Sequence, residues 1–347
     1  MTDGAQAPDG AGPRTGAAPG EEAAHRNAAG DFPAEAVGVL RCPVCGDGFT
    51  PEGRSLRCPN AHSYDVARHG YVNLLTGGAR PGTADTAAMV AARQAFLRAG
   101  HYAGLRDFIC EAAVRAIGGG ARAVGAGLAG GGSGAATEVG AGGRAPRGAH
   151  ADEGGPGGGC LVEVGAGTGY YLAGVLDRFP RHMGLALDIS KFAARRAARA
   201  HERMAAIVCD TWSRLPVAGG CAALVLDIFA PRNPPEFRRV LRPDGALLVV
   251  TPSPRHLQEL VAGLGLLKVD ERKPERLESS LGGDFELLGQ IEFEETLRLT
   301  PAEAGALAAM GPSAHHMRAD ALAERLAPLG DAVEITLSVR ASTYRPR

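Results

Sequence analysis

Three thiols and an imidazole stand in two close pairs near the start of the chain. They are Cys42-Pro-Val-Cys45 and, after twelve intervening residues, Cys58-Pro-Asn-Ala-His62. Soft and borderline ligands in two pairs, about a dozen residues apart, suit tetrahedral zinc. Four protein ligands leave no open position for water, so this Zn2+ is expected to be structural. Gly46 and Gly48 follow the first pair, where backbone amides can turn toward thiolate sulfur. His69 is a rival fourth ligand, but the short gap between Cys58 and His62 favours His62. Metal binding would stand in for the core that so short a module cannot build.

The second constellation is Cys160-Leu161-Val162-Glu163-Val164-Gly165-Ala166-Gly167-Thr168-Gly169. A short apolar run between glycines reads as a buried strand more readily than a helix. Glycines at alternate positions let the backbone turn sharply and let a ligand approach its amides. The spacing is not that of dinucleotide sites, and the chain holds no P-loop lysine. Leu185-Ala186-Leu187-Asp188 is a second apolar run ending in an acid. An acid at the tip of a second strand is where doubly wound folds grip ribose hydroxyls. A glycine-rich linker would give the same alternation by chance, but without the strand before it and the acid after it. Asp210, at the end of the third expected strand, either faces an adenine or caps a helix before Trp212.

These residues need a scaffold, and the pattern after Cys160 supplies one. Strands are expected at 160–164, 183–188, 205–209, 222–229 and 245–250, with helices at 170–179, 190–202, 234–241 and 254–263. The alternation implies an α/β fold with a mostly parallel sheet covered on both faces. Two long strands, at 285–299 and 332–344, close it around a helix at 301–309. Upstream, Thr83 or Asp85 can cap a helix carrying Met89, Val90, Phe96 and Leu97, and a second helix runs from Ala103 to Ile117. The expected organisation is a disordered tail (1–35), a zinc-binding domain (36–80), a helical lead-in (81–117), an insert (118–159) and the α/β domain (160–347). The insert has 18 glycines in 42 positions and cannot bury enough surface to offset its ordering entropy.

Composition narrows the function. A net charge of -1 gives no global footprint for nucleic acid, so RNA binding would have to come from local patches. No run of 18 apolar residues argues for a membrane span, and the N-terminus lacks the apolar core of an export signal. Seven cysteines, three of them clustered, point to metal rather than disulfides. The other four (Cys110, Cys160, Cys209 and Cys221) lie scattered in apolar surroundings as free thiols. The expected setting is a reducing cytoplasm.

The form E-x-G-x-G-x-G at Glu163–Gly169 resembles the first motif of class I S-adenosylmethionine-dependent methyltransferases. That likeness implies a Rossmann-like, mostly parallel seven-stranded sheet ending in a hairpin, with S-adenosyl-L-methionine as cofactor. A wider set of stretches resembles the RlmA/TlrB family of 23S rRNA (guanine-N1)-methyltransferases. They are the two metal pairs, Tyr64–Leu75, Met89–Arg93, Ala99–Tyr102, Glu163–Tyr171, Phe229–Arg232 and Pro254–Leu257. The resemblance covers about residues 38–345 apart from the insert, and the long tail and the insert depart from it.

It places zinc on Cys42, Cys45, Cys58 and His62. Around the cofactor it implies Tyr102, Gly167, Thr168, Gly169, Tyr170, Asp188 and His256, and the class I likeness adds Glu163, Gly165 and Asp210, the last facing the adenine or capping a helix. Nothing in composition or spacing selects Tyr102 or His256. The implied substrate is a guanine in hairpin 35 of 23S rRNA, and relatives of this type act as dimers. Asn233-Pro-Pro-Glu236 and Met310-Gly-Pro-Ser-Ala314 resemble the branch that methylates nucleotide 748, and the other branch acts on 745. The 748 branch implies self-resistance to tylosin-type macrolides. A small-molecule methyltransferase would share the cofactor residues but has no need of a zinc module.

Other residues carry weaker signals. Asn233-Pro234-Pro235-Glu236 looks like the N/D-P-P-aromatic motif of base methyltransferases, but Glu236 cannot stack on a base. Pro234 and Pro235 fit the first turn of a helix, where missing amides cost nothing. Asp227, at the fourth strand's end, is the candidate general base, in competition with a structural role. Arg195, Arg196, Arg199 and Arg203 read as a solvated helix face. His315 and His316 are adjacent and form no metal pair, which fits a loop at a substrate entrance.

Overall fold

A computed structural model describes residues 32–77, 84–118, 158–264, 281–311 and 331–347. The expected tail and insert fall almost wholly outside these residues, as do His315, His316 and most of Met310–Ala314.

The N-terminal part contains α1 (Ala34–Val39), the short strands β1 (Thr50–Glu52), β2 (Ser55–Arg57) and β3 (Ser63–Asp65), and β4 (Tyr71–Asn73). Next come α2 (Ala87–Arg98) and α3 (Ala103–Gly118), then the alternation β5 (Cys160–Val164), α4 (Tyr170–Arg178), β6 (Met183–Asp188), α5 (Lys191–Ala197), β7 (Met204–Val208) and β8 (Ala222–Ile228). The chain ends with α6 (Pro234–Val240), β9 (Leu241–Pro252), α7 (Gln258–Leu264), β10 (Phe285–Leu299), α8 (Pro301–Ala309) and β11 (Val333–Pro346).

The large sheet runs β10-β11-β9-β8-β5-β6-β7-β4. All its pairings are parallel except those of β11, which is antiparallel to both β9 and β10. The expected seven strands are present, and β4 from the N-terminal part adds an eighth at the edge beside β7. From β5 the chain steps to β6 and β7 on one side, and β8 and β9 fill the other. The order therefore reverses at β5, and a crevice opens beyond the strand ends at such a switch point.

Both faces are covered, as the near-continuous apolar strands require. Leu161, Leu224 and Leu226 pack against α2, α3, α4 and α8 through Phe96, Leu105, Ile109, Leu172 and Leu307. Val162, Val164, Leu185 and Ile207 pack on the opposite face against Leu40, Phe49, Leu56 and Phe237. The metal-bearing part is thus continuous with the sheet, through β4 and through a shared core. Each such fully buried side chain contributes roughly 1.5–3 kcal/mol.

Local signals explain the element ends. Thr86, rather than Thr83 or Asp85, caps α2 by accepting from the Met89 amide, while Asp85 pairs with Arg93. Thr300 and Glu303 form a capping box on α8. The helix expected at 190–202 stops at Ala197, and Arg203 does not lie on a solvated face. Its guanidinium donates to the carbonyls of Leu176, Phe179 and His182 at the end of α4. A cation there satisfies carbonyls that the helix leaves open. Cys110, Cys160, Cys209 and Cys221 are free thiols, as expected, and Cys160 and Cys221 donate to the carbonyls of Leu161 and Ala218.

Candidate cofactor site and metal centre

The loop from Gly165 to Gly169 leaves β5 at the switch point. All three glycines have positive φ, at 67°, 55° and 74°. A Cβ at Gly165 would lie 2.6 Å from the Ala230 Cβ, and one at Gly169 would lie 2.8 Å from the Met204 sulfur. No larger residue fits this path. Gly169 is the N-cap of α4, so the loop ends on exposed amides of a helix start.

Glu163 is only 2 % exposed, and its carboxylate accepts from the Leu172 amide in the first turn of α4. Burial pushes its pKa up to about 8, so the group is largely neutral at neutral pH. Glu163 therefore braces the loop and helix from inside the sheet. Asp188, at the tip of β6, accepts from the Gly167 amide at 2.8 Å and the Ser190 amide at 2.7 Å. Burial raises its pKa, and these two bonds work against the rise. Each carboxylate oxygen keeps a further lone pair for a hydroxyl donor. A glycine cradle beside a partly exposed acid fits the methionine end and ribose of S-adenosylmethionine.

The other expected cofactor residues surround this edge unequally. Thr168 is buried in the loop, and Tyr170 opens α4, half-buried under the Arg106 guanidinium. Tyr102 is buried edge-on against Phe96, which drives its pKa up. His256 is half-buried in the turn before α7, with its ring 5.7 Å from that of Phe229. Asp210 accepts from the Trp212 amide and the Ser213 hydroxyl, which makes it a turn-former with no helix behind it.

Two weaker sequence signals fall at structural positions. Asp227 is 0 % exposed and lies 3.8 Å from the Arg232 Nε at the end of β8. Asn233 is an anchor: its amide donates to the carbonyls of Thr211, Trp212 and Ser213. Glu236 accepts from the Leu215 amide and pairs with Arg239, so the Pro-Pro segment holds the loop after β7.

Arg93 carried no role in the sequence. Its guanidinium pairs with Asp85, donates to the Met310 carbonyl at 2.8 Å, and would lie 3.2 Å from a Cβ at Gly167. A cation thus sits on the glycine loop. No local pattern could reveal it, because α2 and the loop are more than seventy residues apart.

Cys42, Cys45, Cys58 and His62 offer ligand atoms that all lie within 4.8 Å of one another. The separations are 3.6 Å for Cys45 Sγ to Cys58 Sγ, 3.6 Å for Cys42 Sγ to His62 Nδ1, and 3.3 Å for Cys58 Sγ to His62 Nδ1. A zinc tetrahedron with bonds of about 2.3 Å to sulfur and 2.0 Å to nitrogen has edges of about 3.5–3.8 Å. Two turns bring the pairs together: the Gly46 amide bonds back to Cys42, and the Ala61 amide bonds back to Cys58. His69 is elsewhere, between Arg68 and Arg199, so His62 is the fourth ligand. The metal site abuts the loop after β7, because Arg214 is the nearest side chain to the Gly46 Cβ position.

The N-terminal region matches the family model described as RlmA, N-terminal, a zinc ribbon, over residues 40–77. The chain is 50% identical, over 88% of its length and 97% of the relative's, to a Micromonospora griseorubida protein whose name gives it as a 23S rRNA (guanine-N(1)-)-methyltransferase. It is 46% identical, over 89% of its length and 98% of the relative's, to the 23S rRNA (guanine(748)-N(1))-methyltransferase of Streptomyces fradiae. Among solved structures, the YcgJ protein of Bacillus subtilis aligns with 55% of this chain and 92% of its own, at 13% identity and a TM-score of 0.39. On sequence identity over nearly its whole length, the chain belongs to the RlmA-type family of 23S rRNA (guanine-N1)-methyltransferases.

Proposed function

We propose that this protein transfers a methyl group from S-adenosylmethionine to N1 of guanine 748 in hairpin 35 of 23S rRNA. One observation carries the reading: a glycine loop joined to Asp188 and a three-cysteine, one-histidine metal set stand in one chain, and the metal set abuts the loop after β7. The relative named for nucleotide 748 supports the choice of base.

Methyl transfer from a sulfonium is an in-line displacement, so positioning supplies most of the acceleration. When bound, S-adenosylmethionine would supply the methyl group, its S–C bond breaking as the N1–C bond forms, with the electron pair kept by sulfur and the N1 proton passing to water. In this reading Gly165–Gly169 receive the methionine end, Arg93 faces its carboxylate, Asp188 takes the ribose hydroxyls, and His256, Tyr102, Tyr170 and Asp210 complete the surround. Zinc stays structural and holds its module against the loop after β7. The hairpin would lie between that module and the carboxyl edge of the sheet. The target base must leave its stack, at a cost of about a few kcal/mol that is lowest in a loop.

The proposed setting is the bacterial cytoplasm, as a homodimer, with resistance to tylosin-type macrolides as the outcome. Primer extension on 23S rRNA incubated with protein and cofactor tests the reaction, because a methyl on N1 blocks pairing and halts reverse transcriptase. A stop beside nucleotide 748 is the expected result. A stop at 745 would move the chain to the other branch, and no stop on naked RNA or ribosomal subunits would overturn the reading.

A further inference from the structure

Among the described residues, only three non-glycine positions have positive φ, and two of them, Phe229 and Leu257, belong to or adjoin one aromatic pair, Phe229–His256. Phe229 (φ 54°) follows β8 directly, and Leu257 (φ 54°) follows His256. Bulky residues take this conformation only where their surroundings hold them, and such positions cluster at functional sites. Here the hold is explicit. The Phe229 amide donates to the Val250 carbonyl at 3.1 Å, and the Leu257 amide donates to the Thr336 carbonyl at 2.7 Å.

The strain has a geometric result. Along an extended strand, residues two apart share a face. Phe229 would therefore follow Asp227 into the interior, where Asp227 is fully buried. Instead Phe229 is 41 % exposed at the carboxyl edge. Its neighbour Ala230 is the residue against which Gly165 must lack a Cβ, so Phe229 leaves the strand one residue from a contact with the glycine loop. His256 stands beside it at 5.7 Å, tilted by 37°.

We infer that Phe229 is the stacking platform for the extruded guanine, presenting a flat apolar face beside the loop where the methyl donor would lie. This rests on the RNA-methylation reading. A displaced purine needs a π-face to replace the stack it leaves, and an aromatic ring supplies one for any base. The N/D-P-P-aromatic role that Asn233–Glu236 cannot fill falls to a ring eight residues upstream of Phe237, straight off the strand end.

The test compares wild type with Phe229→Leu, Phe229→Tyr and Phe229→Gly on a hairpin-35 RNA, with calorimetry of S-adenosylmethionine and thermal melting for each protein. Leu should lower kcat/KM about 10- to 100-fold, the worth of one base–aromatic stack, with cofactor affinity within about threefold of wild type. Tyr should restore activity to within a few-fold. Gly accommodates φ 54° without strain, so it should melt at or above wild type yet lose activity as Leu does. The inference is overturned if Leu matches wild type, if Leu and Tyr are equally impaired, or if cofactor affinity falls in parallel with activity. Wild type that binds cofactor but methylates no RNA would sink the parent reading, and the inference with it.

Discussion

The backbone amide of Gly167 donates to the Asp188 carboxylate at 2.8 Å, tying the loop after β5 to the tip of β6 across the parallel pair. The same carboxylate holds the Ser190 amide at 2.7 Å, and Ser190 caps α5. One acid thus sets the shape of the cradle, and in the proposed reading it also takes the ribose hydroxyls. Asp188→Asn places an amide donor against backbone donors and removes a charge-assisted bond worth about 1.5–3 kcal/mol. We expect cofactor affinity to fall about 10- to 100-fold by calorimetry. Affinity within twofold of wild type would show that Asp188 does not serve the cofactor.

Glu163 makes stability depend on pH with a defined sign. Its folded pKa, about 8, lies above the ordinary glutamate value of 4.5, so the folded state favours the proton. The contribution is fully present below about pH 4.5 and is lost as pH rises toward 8. The slope is at most about 1.4 kcal/mol per pH unit. Glu163→Gln keeps the shape and removes the titration. Melting curves from pH 5 to pH 9 should therefore show the variant gaining on wild type as pH rises, and parallel curves would refute the buried neutral acid.

Zinc and the sheet edge should melt together. Leu40, Phe49 and Leu56 share a core with Val162 and Ile207, and β4 pairs with β7. Cys58→Ala should abolish stoichiometric zinc by elemental analysis. It should also lower the melting temperature of the whole protein rather than of a separate early transition. Full zinc content in the variant would overturn the ligand set.

Asn233 separates an anchoring role from a catalytic one. Its amide faces three carbonyls, so Asn233→Asp would set a carboxylate against acceptors, while Asn233→Ala only leaves them unpaired. Asp should destabilise more than Ala, and Ala should cost about 1–3 kcal/mol in chemical denaturation. A catalytic Asn233 would instead lose turnover in both variants with stability unchanged.

Arg203 should matter more than a surface arginine. It closes the carbonyl end of α4 with bonds to three residues, so Arg203→Ala should cost on the order of 2–4 kcal/mol in denaturation. A change below about 0.5 kcal/mol would return it to the solvated face that its spacing suggested.

Much of this protein was legible in order along the chain. β5, β6, β10 and α8 fall on the expected residues, because each is marked locally by an apolar run or a capping box and by its bounding glycines, acids or prolines. The metal ligands were legible for the same reason: two turns of fixed length bring two short pairs together. What failed to show involves partners distant in sequence. Arg93 meets Gly167, Asn233 reaches back to Thr211, and β4 joins β7 across more than 130 residues. Spacing describes which way a side chain faces within its own element, but not what an element folded elsewhere will bring to it. That is why the burial of Asp227 beside Arg232 could not be read from its place at a strand tip. It is also why Phe229, ordinary in sequence, becomes exposed once the backbone turns against its preference.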